Sequence, residues 1–229
     1  MPTMEASPQT TVTTLTSSSQ SLELKKSITR PEDSNYFKSY RITKAGLGDF
    51  QISSSSDDSE YRGEISLYNP KKRDVILHRG PDAKGEILGD ADLKTFSGHY
   101  TVEIGDYVHG PVILERLDRV KGWSSRHQFA FSFGGAERET FIWRHKGEKF
   151  HDNGGHGTTN GNWDDMELVT DRNDDEEELL VAQYLKKDPS YRGWKGRSCL
   201  QVRSEGGEEF EKMVMLSLMA LLVTKRREQ

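Results

Sequence analysis

The sequence predicts a mainly β protein: a closed antiparallel barrel of about twelve strands around a hydrophobic C-terminal helix. From Phe37 to residue 203, short runs with period-two alternation of apolar and polar residues follow one another. The chain then enters the run 213–223, in which only Ser217 is polar. Since a helix turns once every 3.6 residues, this run is apolar on every side and has to be enclosed. We therefore expect the strands to surround the helix.

Turn-forming residues separate the strand-like runs, as expected for successive antiparallel hairpins. The run 178–185 could also form a helical turn, but Val181, Tyr184 and its place between strand-like runs favour a strand. The predicted strands lie near residues 39–45, 48–54, 60–68, 74–79, 85–92, 98–104, 111–118, 127–133, 139–146, 165–171, 178–185 and 196–203.

The dimensions of the two parts agree. A barrel of about eight strands is filled by its own side chains, whereas a larger barrel leaves a lumen. A helix is roughly 10–12 Å across with its side chains, so it could fill the lumen of a larger barrel. Fourteen helical residues rise about 21 Å, and seven-residue strands tilted by about 40° span roughly 18 Å. The predicted core residues of the helix are Phe210, Met213, Val214, Leu216, Leu218, Leu221 and Leu222.

The composition indicates one domain with a tail. Residues 1–36 are rich in Ser and Thr and predict a disordered segment, and residues 37–226 form the predicted barrel domain. The net charge of −5 argues against nucleic-acid binding, which usually requires a basic domain. The single cysteine excludes an internal disulfide and favours a reducing compartment. We expect a cytoplasmic monomer, with peripheral membrane attachment and a nuclear location both left open.

A membrane anchor is the alternative interpretation of the C-terminal run. Residues 213–223 cover about half of the roughly 20 residues that a bilayer span needs. The basic residues 225–227 would flank such an anchor. No basic segment followed by an apolar run occurs at the N-terminus, so the sequence predicts no secretory signal.

The most distinctive segment runs from Gly196 to Val202, continues through a short acidic and glycine-rich linker, and reaches Glu208–Glu211 and the apolar helix. With the strand-like runs before it, it resembles the tubby C-terminal-like superfamily, which includes tubby proteins, plant LURP-one-related proteins and phospholipid scramblases. It is most similar to compact fungal tubby-like domain proteins. The resemblance spans about residues 38–225 and implies a closed barrel with a central helix.

The resemblance implies two functional precedents. Tubby domains bind phosphoinositide headgroups through clustered Lys and Arg residues on the barrel surface. Scramblases act at membranes with calcium, acylated cysteines and a terminal anchor. This chain lacks a cysteine cluster and a Pro-rich tail, so it departs from the scramblase pattern.

The clearest cationic cluster is Lys71, Lys72 and Arg73, at the tip of a predicted hairpin. These cations could contact the phosphates of an anionic lipid headgroup, each contributing roughly 1 kcal/mol near an anionic membrane. The competing interpretation is a solvated turn, because charged turns are common. Secondary candidates are residues 186–187 and 225–227, and the latter also suit a helix C-terminus.

Other motifs do not reach a functional pattern. The acidic run that begins at Asp171 fails as a calcium loop, because Glu176 and Ala182 stand where Gly and Glu are needed. The His residues of the glycine-rich loop 151–162 lack the spacing of a zinc site. The sequence predicts that Cys199 is a small core residue. No nucleophile motif occurs in the sequence.

The sequence therefore predicts a non-enzymatic intracellular binding module without a metal or cofactor. Its expected ligand is an anionic phospholipid, in particular a phosphoinositide, at Lys71, Lys72 and Arg73. The alternatives are a protein-interaction module that uses the loop 147–164 and the N-terminal tail, and a membrane-anchored scramblase-like protein.

Overall fold

The computed structural model describes residues 36–45, 48–54, 59–66, 72–93, 99–105, 110–120, 125–146, 165–171, 178–186 and 198–227. The predicted tail, residues 1–36, lies outside the described residues except for Tyr36. The loop 147–164 and Lys71 also lie outside them.

The predicted fold class is confirmed, because twelve strands form one closed antiparallel barrel. Each strand pairs with its neighbours in sequence, and the last strand closes the barrel by pairing with the first, from Phe37↔Arg203 to Ile42↔Ser198. The strands are β1 Phe37–Ala45, β2 Asp49–Ser53, β3 Ser59–Ile65, β4 Val75–Arg79, β5 Ile87–Leu93, β6 His99–Gly105, β7 Val112–Arg119, β8 His127–Ser132, β9 Arg138–His145, β10 Met166–Thr170, β11 Leu180–Leu185 and β12 Ser198–Arg203.

A 3₁₀ turn at Ser204–Gly206 leads from β12 into the helix α1, which spans Gly207–Arg227. Most of the predicted core residues of α1 are buried, with at most 7% of their surface exposed. Leu222 differs, because it is half-buried and packs at the edge of the core. No helix of the described chain is long and apolar enough to cross a membrane.

The helix packs against β4, β5 and β6, and missing side chains on the barrel wall allow this close approach. A Cβ atom added to Gly89 of β5 would lie 2.6 Å from Cδ1 of Leu216 and 2.6 Å from the carbonyl oxygen of Glu103. A Cβ atom added to Gly63 of β3 would overlap the sulfur of Met219. Glycine is thus needed at position 89, where a backbone carbonyl approaches closely, whereas a side chain at position 63 would require Met219 to move.

Aromatic side chains fill the space between α1 and the β8–β9 part of the wall. The ring of Phe210 lies 5.0 Å from the ring of Phe133 and 5.1 Å from that of Phe141, measured between centroids. Trp143 is fully buried, and its Nε1–H donates a hydrogen bond of 2.9 Å to Oγ of Ser217. Ser217, the one polar residue of the apolar run, therefore satisfies a buried donor that would otherwise cost about 1–3 kcal/mol.

Charged side chains fix the two ends of α1. Glu211, which is buried near its start, forms a 2.7 Å ion pair with Lys38 of β1. At the other end, Arg227 forms an ion pair with Asp74, and Arg226 donates to the carbonyl of Gly48 at 3.1 Å. The acidic first turn and basic last turn also suit the helix dipole.

The prediction that Cys199 is a core residue is wrong. Leu200 and Val202 of β12 are fully buried, whereas Cys199 is half-buried. Successive strand residues face opposite sides of a barrel wall, so Cys199 belongs to the row that faces away from the core. The neighbouring apolar residues, which suggested burial in the sequence, line the other face.

Candidate functional site

A pocket of about 520 Å³ lies at the end of the barrel where α1 terminates. Its walls come from β1, β2, β6–β12 and the last turns of α1, and none of its described lining residues belongs to β3, β4 or β5. The aromatic side chains of β8–β9 pack against the first half of α1, at Phe210 and Ser217, whereas the pocket lies beside its last turns. The volume is within the roughly 300–1,000 Å³ range of small-molecule sites.

The rim of the pocket is basic. Lys44, Arg119 and Lys186 are exposed at its opening, and Lys225 and Arg226 are half-buried on α1. No carboxylate occurs among the described residues that line the pocket, although the whole chain carries a net charge of −5. Clustered charges of one sign in a concave, partly apolar site concentrate the electric field and attract ligands of opposite charge.

A carboxylate does lie just outside this rim. Oδ1 of Asp165 accepts a hydrogen bond of 2.9 Å from the backbone N–H of Lys186. The carbonyl of Lys186 in turn accepts a 3.1 Å hydrogen bond from the hydroxyl of Ser198. These contacts hold the backbone at the end of β11 in a defined position, and so they place Lys186 at the opening of the pocket.

Arg226 is held by two described contacts. Its guanidinium lies 4.5 Å from the centroid of the Phe50 ring, and its Nη1 donates to the carbonyl of Gly48 at 3.1 Å. Burial lowers the pKa of Arg226, and no carboxylate in the described lining offsets this desolvation. An anion in the pocket would therefore gain from a guanidinium that is already oriented and partly dehydrated.

His127 and Tyr100 form the wall beneath Arg119. Their rings stack with centroids 5.5 Å apart and an interplanar angle of 21°. Nδ1–H of His127 donates to the carbonyl of Ser125 at 3.3 Å. Burial lowers the pKa of His127 from 6.5 to about 4. The imidazole of His127 is therefore neutral at pH 7 and adds no positive charge to the pocket.

This buried imidazole predicts a measurable loss of stability in mild acid. Since the pKa of His127 is lower in the folded state, the unfolded chain binds a proton as the pH falls from 6.5 towards 4, and the folded chain does not. We expect this difference to remove on the order of 3 kcal/mol from the free energy of unfolding between pH 7 and pH 4. Urea unfolding of the wild type and of His127→Phe at both pH values measures it.

In this comparison, His127→Phe keeps a ring beside Tyr100 and removes the titration. Its free energy of unfolding should fall less between pH 7 and pH 4 than that of the wild type. Equal losses in the two proteins would show that His127 is not held neutral in the folded state.

The described part of the predicted cluster at Lys71, Lys72 and Arg73 is neutralised by neighbouring carboxylates. Nζ of Lys72 lies 2.9 Å from Glu64. The guanidinium of Arg73 contacts three carboxylates on two neighbouring strands. The distances are 3.3 Å to Asp90, 3.4 Å to Asp92 and 2.8 Å to Glu103. Four carboxylates therefore contact the two described cations of this cluster and offset their charge.

The structure brings together two secondary candidates of the sequence, from the ends of β11 and α1. Lys186, Lys225 and Arg226 line the same pocket, whereas Arg227 points elsewhere and pairs with Asp74. Sequence reasoning missed Lys44 and Arg119, which lie at strand ends and are not directly adjacent to another Lys or Arg.

Comparisons with known proteins returned no match: no family model, no curated protein and no solved structure matches this chain. The resemblance to the tubby C-terminal-like superfamily stays an interpretation of the strand pattern and the C-terminal segment. The pocket itself therefore provides the evidence for function.

Proposed function

We propose that this protein is a non-enzymatic binding module for anionic phospholipid headgroups, and that the headgroup binds in the basic pocket at the C-terminal end of α1. The observation that carries the proposal is the set of five Lys and Arg side chains around a concavity without a carboxylate among its described lining residues. This arrangement is unusual in a chain with an excess of acidic residues.

The chemistry of the rim suits phosphate. Arg side chains offer planar pairs of N–H donors that match two phosphate oxygens, and Lys adds a compact charge. The lining carries both types, with Arg119 and Arg226 among Lys44, Lys186 and Lys225. A phosphorylated headgroup could contact several of these residues at once. A flat membrane surface without net charge would form no favourable contact with them.

The polar groups of the pocket favour binding over catalysis. The hydroxyl of Ser198 donates to the carbonyl of Lys186 and accepts a 3.0 Å hydrogen bond from Tyr184. Nδ1–H of His127 donates to a backbone carbonyl, that of Ser125. A nucleophilic serine needs a general base within hydrogen-bonding distance, and the described contacts of Ser198 supply none.

Vesicle cosedimentation tests the proposal. The wild type should bind vesicles that contain phosphoinositide and leave neutral phosphatidylcholine vesicles in solution. Replacing two pocket cations in Lys44→Gln/Lys225→Gln should weaken binding roughly 10–30-fold, because each Lys contributes roughly 1 kcal/mol near an anionic surface. The matched control Lys72→Gln/Lys84→Gln removes the same charge outside the pocket and should change binding less than about twofold.

Two outcomes would contradict the proposal. Equal binding to anionic and neutral vesicles would exclude headgroup recognition. It would favour the protein-interaction alternative, in which the loop 147–164 and the N-terminal tail contact a partner. A loss of the same size in the pocket variant and in the control would show that binding depends on overall charge and not on the pocket.

A further inference from the structure

The floor of the basic pocket is apolar. Beneath the charged rim, the pocket is lined by buried side chains that retain only a few per cent of exposed surface, and by the half-buried Leu222. The apolar floor consists of Ile42, Phe50, Tyr100, Met166, Leu221 and Leu222. By exposure, the pocket therefore has two layers: exposed or half-buried cations in one, and mostly buried apolar side chains in the other, beside the buried polar groups of His127 and Tyr184.

A headgroup alone would use only the upper layer. Phosphate and sugar hydroxyls gain little from contact with Phe50 or Leu221, because a polar group without a hydrogen-bond partner loses free energy on leaving water. A hydrocarbon chain gains about 0.8 kcal/mol for each methylene that it buries. The two layers together match a ligand with an anionic end and an apolar chain.

We infer that the pocket holds a hydrocarbon chain of the anionic lipid together with its charged group. The natural ligand class is an anionic amphiphile, bound with its phosphate at Lys44, Arg119, Lys186, Lys225 and Arg226 and its chain on the apolar floor. This inference rests on the proposed headgroup recognition and adds that the lipid leaves the plane of the membrane to enter the barrel.

The position of α1 makes room for the chain. The helix ends at this mouth of the barrel, and Leu221 and Leu222 of its last turns face the pocket while the rest of its apolar surface is enclosed. Beside these last turns, the pocket extends to the residues of β8–β12 that line its other side. A chain lying there would extend the packing of the core.

A series of linear monoalkyl phosphates with four, six, eight and ten carbons tests the inference by calorimetry. All are used below the concentration at which they form micelles, with glycerol 3-phosphate as the headgroup-only probe. Affinity should rise about fourfold for each added methylene until the floor is filled, the equivalent of about 0.8 kcal/mol per methylene, and should then level off.

Two variants separate the layers. Leu222→Trp places a larger side chain on the floor at a half-buried position, so the affinity should level off at a shorter chain. Lys225→Gln should lower the affinity of every member of the series by the same factor. If Leu222→Trp does not fold, Leu222→Phe fills the floor less severely, and the wild-type series still decides the question.

The outcomes distinguish this inference from the function on which it rests. Affinity that is independent of chain length, and equal to that of glycerol 3-phosphate, would overturn the chain site and leave headgroup recognition standing. Absence of binding to every phosphate and to phosphoinositide vesicles would overturn both. Equally tight binding of neutral alkyl glucosides would also overturn the inference, because the charged rim would then contribute nothing.

Discussion

A chain that ends after Gly207 is expected to lose cooperative unfolding. The truncation removes the apolar side chains of α1. Among them are Phe210, Met213, Leu216 and Leu218, which are fully buried. Burial of one such side chain is worth roughly 1.5–3 kcal/mol. The free energy lost with all the buried apolar side chains of α1 therefore exceeds the free energy of unfolding of a typical domain, about 5–15 kcal/mol. The remaining barrel would enclose an unfilled lumen lined by apolar residues.

Circular dichroism during thermal unfolding measures this effect. The full chain should unfold in one sharp transition, and the truncated chain should show none or should aggregate. Glu209→Gln serves as a control within the same helix, because Glu209 is exposed and its replacement should leave the transition within a few degrees. A truncated chain that stays soluble and unfolds cooperatively would contradict the enclosed helix and would favour the membrane-anchor alternative.

Gly89→Val is expected to have the largest effect of any single substitution considered for the barrel wall. The new side chain would collide with Leu216 of α1 and with the backbone carbonyl of Glu103, each already 2.6 Å from the Cβ position. Leu216 can shift only by disturbing the core, and the β6 backbone is held by its pairing with β5 and β7. We expect a loss of about 3 kcal/mol in the free energy of unfolding, measured by urea titration.

Gly48→Ala is the matched control for this substitution. A Cβ atom at Gly48 meets nothing within 4 Å. Alanine also restricts the unfolded chain more than glycine, so the variant should be unchanged or more stable by up to about 1 kcal/mol. If both variants have the same stability, the close approach of α1 to β5 is absent and the helix position is wrong.

Most of the fold could be predicted from the sequence because its determinants are local. Alternation in runs such as 98–104 gives a strand and its inward face without knowledge of the partner strand. The apolar run 213–223 gives a helix that needs enclosure. Successive hairpins then leave few topologies, and the confirmed strands differ from the predicted runs by only a few residues at their ends.

The pocket could not be predicted because its determinants are not local. Lys44 and Arg119 are far apart in the chain and come together only through the closure of the barrel. The same holds for the carboxylates around Arg73, since Asp90 belongs to β5 and Glu103 to β6. Consecutive basic residues in the sequence therefore predict a site at residues 71–73. The basic residues that the fold brings together indicate the pocket instead.

The location of the headgroup is the central claim of this account, and chemical-shift mapping tests it most directly. Backbone amide signals of the full chain would be followed while a soluble inositol phosphate is added. We predict that the largest changes occur at Lys44, Lys186 and the last turn of α1, with no saturable change at Lys72 or Arg73. Saturable changes confined to Lys72, Arg73 and Glu64, with the pocket residues unaffected, would contradict the account and would restore the hairpin as the binding site.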